Sequence, residues 1–221
     1  MKVNIYTSSY DSIKNDKYNN FLVSVSGDRG KRANYVGECF PILAPKKDFW
    51  LNWHFRNNPY SIENIEYYVT EYYKQVLSTL NVDEVVERLQ NKILLCYEPY
   101  DEFCHRDIIA YWIELVLGKE IPEIRVSSDG KVIKLPRPSY IMDMLERVMK
   151  DELSIDENHS IQAYYLIKKA ESLENYAIEA LDDDDSNYSM QLSLLAKEYR
   201  ENASNIDSEY VRNKKKLEKA I

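Results

Sequence analysis

Glycine and proline are scarce, at 5 and 7 of 221 residues, which excludes a collagen-like or low-complexity chain and favours helices. No apolar run approaches the length of a membrane span. Positive charge is in deficit: 29 lysines and arginines against 37 acidic residues leave a net charge of −8. This argues against a broadly basic nucleic-acid-binding surface, though not against a small basic pocket. Cysteines number only 3, with no Cys-x-x-Cys pair, so reduced thiols fit better than a disulfide framework. The segment Met1 to Thr7 alternates like a strand and does not look like an export signal, so a cytoplasmic protein is expected. Against these shortages, 44% hydrophobic residues suffice for a core, and 30% charged residues suit helices with solvated faces.

Chemistry-bearing residues concentrate in one stretch, CYEPYDEFCHRDIIAYWIELVLG, from Cys96 to Gly118. The apolar run Ile93 to Tyr97 is short enough to be a strand buried on both faces. Ile108, Ile109, Trp112, Leu115 and Val116 recur at threes and fours, which predicts a helix that Gly118 terminates. Extending that stripe backward reaches Cys104 and His105, so both are expected to face the end of the sheet. In an open parallel sheet, ligands bind beyond the carboxyl ends of the strands, where loops and helix N-termini converge. Unpaired amides of the first helical turn, with Arg106 beside them, predict an anion there, and the same field predicts a lowered pKa for Cys104. A plainer reading makes Cys96 a small buried hydrophobe and Asp101 the N-cap of the helix.

Two further segments read as a strand followed by a polar loop. Lys2 to Thr7 runs into a hydroxyl-bearing loop, TSSY, Thr7 to Tyr10, and Phe21 to Ser26 runs into GDRGKR, Gly27 to Arg32. The second loop has glycines and the charges of Arg29, Lys31 and Arg32, as a phosphate cradle requires, but its spacing matches neither the P-loop nor the dinucleotide fingerprint. Val36 to Tyr60 is irregular and aromatic, either a lid over the sheet end or a loop pinned by its own rings, with His54 read as structural. Ser61 is placed to cap a helix reaching about Leu80, and Asp83 a second one through Leu89. Asp129-Gly130 between two extended runs predicts a hairpin, closed by Pro136 and Pro138.

From Ser139 to Ile221 there is no glycine and no proline, and the pattern is helical throughout. A helix over Tyr140 to Lys150 is followed by one beginning at a capping box, Ser154 to Glu157, and by a last helix from Tyr188 to Ile221. The two longer stripes predict an antiparallel hairpin, joined by a solvated aspartate run, Asp182 to Asp185, with Lys214 to Lys216 near the final C-terminus. The expected organisation is an α/β domain over 1–138 and a helical extension over 139–221.

Strand-borne LLCYE, Leu94 to Glu98, then FCHR, Phe103 to Arg106, opening an apolar-faced helix, resembles the domain of unknown function 488 family. IYTSSY, SVSGDRGKR and LAP, Leu43 to Pro45, are similar to family positions in the same order, so the resemblance covers about Met1 to Glu123. It implies a Rossmann-like three-layer α/β fold with a mostly parallel sheet and carries no settled activity. Its motif residues fall on Cys96, Glu98, Cys104, His105 and Arg106.

Together these readings predict a pocket for a nucleotide-like or phosphorylated small molecule. Ser8, Ser9, Arg29, Cys96 and Arg106 are the expected ligand-binding residues, with Glu98, Cys104 and His105 as candidate acid, base or nucleophile. Neighbouring positions on a helix diverge by about 100°, which speaks against a direct Cys104–His105 dyad. The sequence identifies no cofactor. A metal site from Cys96, Cys104 and His105 with Cys39 or Glu98 is a lesser alternative, because the spacing lacks a short chelating pair, and no metal ligand is assigned. The other alternative is an interaction protein whose residues 139–221 bind a partner or a second copy.

Overall fold

The computed structural model describes residues 4–151, 159–182 and 186–207. Six strands, β1 (Tyr6–Ser9), β2 (Leu22–Ser24), β3 (Glu38–Cys39), β4 (Ile93–Cys96), β5 (Glu123–Val126) and β6 (Val132–Leu135), form one sheet in the order β3-β2-β4-β1-β5-β6. β1 to β5 are parallel, while β6 pairs antiparallel to β5 through the Asp129-Gly130 turn, where Gly130 takes φ 85°. The chain runs out to one edge through β2 and β3, returns to set β4 between β2 and β1, then builds the other edge. Such a reversal leaves a crevice at the carboxyl end of the central strand. The fold is therefore α/β with a mostly parallel sheet and a C-terminal helical region, as expected.

The helices are α1 (Lys47–His54), α2 (Ile62–Gln75), α3 (Val82–Arg88), α4 (His105–Leu117), α5 (Ser139–Met149), α6 (His159–Asp182) and α7 (Ser186–Ile206). Alternation along the strands sends Val23, Val25 and Leu94 into the core shared with α1, α2, α4 and α5, and Leu22, Ile93 and Leu95 to the opposite face. That second face is covered by short helical turns and the rings of Tyr10, Tyr18 and Tyr35. The apolar core does not stop at Pro138. Tyr140, Ile141, Met144, Leu145, Tyr165 and Ile167 all belong to the cluster that holds Leu94 and Ile109.

Three helix boundaries differ from the sequence expectation. α2 ends at Gln75, because Val76 leaves helical backbone at φ −124°, ψ −69° and a single 3-10 turn, Leu77–Thr79, follows. α3 is capped by Asn81, whose Oδ1 accepts from the amides of Asp83 at 2.9 Å and Glu84 at 3.3 Å, so Asp83 is a first-turn residue and not the cap. α4 starts at His105, and Asp101 instead accepts a hydrogen bond from the Tyr188 hydroxyl. Its other end is as expected, with Gly118 in the left-handed region at φ 62°.

α6 and α7 pack along their length, Leu173, Ala177 and Ala180 against Leu192 and Ala196, and Arg200 reaches Glu174 at 2.8 Å. The expected capping box at Ser154 to Glu157, positions 183–185 of the aspartate run, and the chain from Ser208 onward lie outside the described residues. Among the described residues, no helix is long and apolar enough to cross a membrane.

Candidate functional site

Cys96 ends β4, and its side chain points to the helical face, opposite to Leu95. Cys104 is the residue before α4 and holds extended backbone, φ −144° and ψ 147°, which removes the expected objection to a paired Cys104 and His105. The 100° divergence applies between helical residues, and only His105 is helical. The result is a compact cluster. Both thiols donate to the same oxygen, Glu98 Oε2, Cys104 at 2.9 Å and Cys96 at 3.2 Å. Cys96 Sγ lies 3.6 Å and Cys104 Sγ 3.9 Å from His105 Nδ1. His105 Nε2 is 3.1 Å from the Val25 carbonyl, which can only accept, so Nε2 carries a proton; Cys96 Sγ is 4.0 Å from Nε2 as well as 3.6 Å from Nδ1 and so lies beside the ring, off the axis of the Nδ1 lone pair.

The electrostatics follow from that arrangement. Burial pushes the Cys104 thiol well above its ordinary pKa, and the neighbouring Cys96 and Glu98 add to the shift, with Arg106 only partly opposing it. This corrects the expectation of a lowered pKa: the helix end is outweighed by an apolar, anion-bearing wall. For Glu98, burial favours the neutral acid, but the Cys104 hydrogen bond, His105 and Cys96 outweigh it, and its pKa lies below the ordinary carboxylate value. Burial likewise opposes a charged His105, yet Cys104, Glu98 and the Val25 carbonyl carry its pKa above the ordinary value.

Arg106 does not face a ligand. It is fully buried and grips Glu123 through Nε at 3.3 Å and Nη2 at 3.2 Å, while Nη1 and Nη2 donate to the carbonyls of Glu98 at 2.6 Å and Pro99 at 3.0 Å. The anion predicted beside the helix N-terminus is thus internal, and Arg106 ties the loop after β4 to β5. Ser8 and Ser9 also turn inward, Ser8 Oγ donating to the Ile124 carbonyl at 2.7 Å and Ser9 Oγ meeting Ser12 Oγ at 2.7 Å. Arg29 is an exposed turn residue at φ 61°.

The loops after β1, β2 and β4 do meet, through different residues. The Tyr10 hydroxyl lies 2.6 Å from Ser24 Oγ and 3.1 Å from Ser26 Oγ, and its ring packs on Tyr97 at 5.0 Å. The Tyr97 hydroxyl donates to Asp28 at 2.7 Å, and a 3-10 turn over Lys31–Ala33 brings the Arg32 guanidinium to 4.1 Å over the Tyr97 ring. Gly30 permits this path: it sits at φ 78°, and a Cβ there would come within 2.7 Å of the Tyr10 hydroxyl oxygen and 2.8 Å of Tyr35 Cβ.

These loops and the aromatic segment enclose a cavity of about 510 Å³. Cys96, Glu98, Cys104 and His105 lie along one part of its lining; Trp50, Trp53, Tyr68 and Phe103 supply rings; Asp28, Arg32, Lys47 and Tyr97 supply polar groups. Of the expected site residues, Cys96, Glu98, Cys104 and His105 are therefore brought together, while Ser8, Ser9, Arg29 and Arg106 are not part of the lining. Trp50 and Trp53 come from the aromatic segment read as either a lid or a pinned loop, whereas Lys47, Asp28 and Tyr97 are lining residues the sequence reading does not name as site residues. The signal for α1 was present in Phe49 and Trp53 four apart, both of which are buried. His54 is exposed and stacks on Trp50 at 4.9 Å and 9°. Cys39 stands apart from the cluster, its thiol nearest the carbonyls of Gly37 and Arg29. No family model, no curated protein and no solved structure matches this chain.

Proposed function

We propose that the cavity at the carboxyl end of the sheet binds a small molecule combining a planar ring with an anionic group, a nucleotide-like or phosphorylated compound. One observation carries this reading: a half-open hollow of about 510 Å³ has indole rings, two cations and a cluster of reactive side chains along the same lining. Trp50 and Trp53 suit a flat ring, and Arg32 and Lys47 suit a phosphate. Glu98, held ionised, is suited to accept hydrogen bonds from sugar hydroxyls or to take up a proton. The resemblance to the domain of unknown function 488 family agrees with this placement, since four of its motif residues, Cys96, Glu98, Cys104 and His105, line the cavity. A cytoplasmic setting, where thiols stay reduced, fits three free cysteines.

A thermal-shift panel of nucleosides and nucleoside mono- and diphosphates tests it. A phosphorylated member is expected to stabilise the chain, with Arg32→Ala and Trp50→Ala each weakening binding about 10-fold or more; the unliganded melting temperature should stay close to that of the parent for Arg32→Ala and fall for Trp50→Ala, whose ring packs on the core. A stabilising ligand that both variants bind normally would remove the cavity as its site.

Exposed Ile178, Leu181, Met190 and Leu194 on α6 and α7 favour a second reading, in which the helical region also docks a partner or a second copy. Changing Leu181 and Leu194 to glutamate is then expected to abolish concentration-dependent self-association in sedimentation. A chain that is monomeric before and after the change speaks against the second-copy form.

A further inference from the structure

We infer that Cys96, Cys104 and His105 bind a zinc ion through Sγ, Sγ and Nδ1, with the Glu98 carboxylate as the fourth, exchangeable ligand on the cavity side. The three donor atoms lie within 4.8 Å of one another, and all three residues are buried. Zinc bonds of about 2.3 Å to sulfur and about 2.0–2.1 Å to nitrogen at tetrahedral angles place sulfur and nitrogen roughly 3.6 Å apart. The observed separations are 3.6 Å for Cys96 and 3.9 Å for Cys104; Cys96 Sγ is also 4.0 Å from Nε2, so besides shifts of a few tenths of an ångström the imidazole must turn to aim Nδ1 at the ion.

Glu98 Oε2 already touches both sulfurs, at 2.9 and 3.2 Å, the position a fourth ligand takes along a sulfur–sulfur edge. Those contacts are thiol hydrogen bonds; on metal binding the two thiol protons leave for solvent and each sulfur donates its electron pair to the ion. Nothing is oxidised or reduced. The outer contacts are also in place. His105 Nε2 donates to the Val25 carbonyl, which fixes the tautomer that ligates through Nδ1. Arg106 holds the carbonyls of Glu98 and Pro99, which pins the loop carrying the carboxylate.

Two sulfurs and one imidazole favour zinc over magnesium or calcium, which take oxygen ligands. Two cysteines, one histidine and a replaceable fourth ligand also match a zinc centre open to a substrate or water better than a closed structural one. The short chelating pair missing from the sequence is supplied by the fold: Cys96 ends a strand, and Cys104 precedes the helix that returns to the same strand end.

The test uses the full chain, without a histidine tag, under a non-thiol reductant. Zinc content is measured as purified; the metal is then removed and cobalt(II) titrated anaerobically. The expected results are close to one equivalent of zinc and one equivalent of cobalt with a near-ultraviolet thiolate-to-cobalt charge-transfer band. Cys96→Ser and Cys104→Ser should each weaken metal binding by more than the roughly 10–100-fold typical of outer contacts, while Cys39→Ser should bind like the parent. Because either serine variant could misfold, the wild-type spectrum carries the decision. Substoichiometric zinc with no charge-transfer band from the reduced wild-type chain overturns the proposal, as does loss of the band in Cys39→Ser. Nucleotide stabilisation that survives metal removal would leave the cavity reading standing even if the metal fails.

Discussion

Replacing Arg106 with alanine is expected to destabilise the fold by about 3–5 kcal/mol, measured by denaturant unfolding. The substitution leaves Glu123 as a buried charge at 1% exposure and strips the carbonyls of Glu98 and Pro99 of their donors. An uncompensated buried carboxylate is the larger cost, and unmade bonds to carbonyls add to it. With total stabilities of about 5–15 kcal/mol, the variant would stand near the limit of folding. Arg106→Lys should recover little, since an ammonium cannot span a carboxylate and two carbonyls in one plane. Pairing Arg106→Met with Glu123→Met should recover most of the loss, because removing both charges removes the penalty. A variant Arg106→Ala that folds with parental stability and fails only in ligand binding would restore the exposed, anion-binding role read from sequence.

Asp107 gives the second large effect, with opposite sign. It is fully buried on α4, and neither carboxylate oxygen has a hydrogen-bond donor among the described residues. Burial pushes its pKa up to about 7, opposed by Arg106 and Arg137 and reinforced by Glu123. The folded state therefore holds a proton that the unfolded chain releases near its ordinary value of about 3.9. Stability from this group is fully present below that value and is lost as pH rises through about 7. Asp107→Asn should flatten the stability profile between roughly pH 4 and 7 and raise stability at pH 8 by on the order of 2–4 kcal/mol. Unfolding at pH 5 and pH 8 measures it. An unchanged slope, or a loss of stability at pH 8, would show that the carboxylate is needed in its charged form.

These two residues mark where sequence reading and structure part. β1, β2 and β4, the β5–β6 hairpin and α4 with its Gly118 stop are legible because each is dictated locally, by alternation, by Asp-Gly or by a 3.6-residue stripe. The clustering of Cys96, Glu98, Cys104 and His105 is legible in part, since all four lie on one strand–loop–helix unit at the carboxyl end of β4, but the pairing of Cys104 with His105 is not, because it depends on Cys104 being extended and not helical. What local pattern does not contain is the partner of a charge. Arg106 and Arg29 look alike in sequence; one is consumed by Glu123, seventeen positions on, and the other stands exposed on a turn. Arg32 replaces Arg29 at the cavity because Gly30 and a 3-10 turn redirect the chain by a route with no fixed spacing. Likewise Ser8 and Ser9 carry hydroxyls at the right strand end, but their bonds to Ile124 and Ser12 close them off.

The most direct measurement is a crystal of the full chain soaked with the tightest binder from the nucleotide panel. Density in the cavity is expected with the ring against Trp50 or Trp53, the phosphate at Arg32 and Lys47, and the remainder directed at Glu98. A ligand seated elsewhere, or rings of Trp50 and Trp53 collapsed onto Cys104 and His105 so that no hollow remains, would contradict a binding site at this end of the sheet.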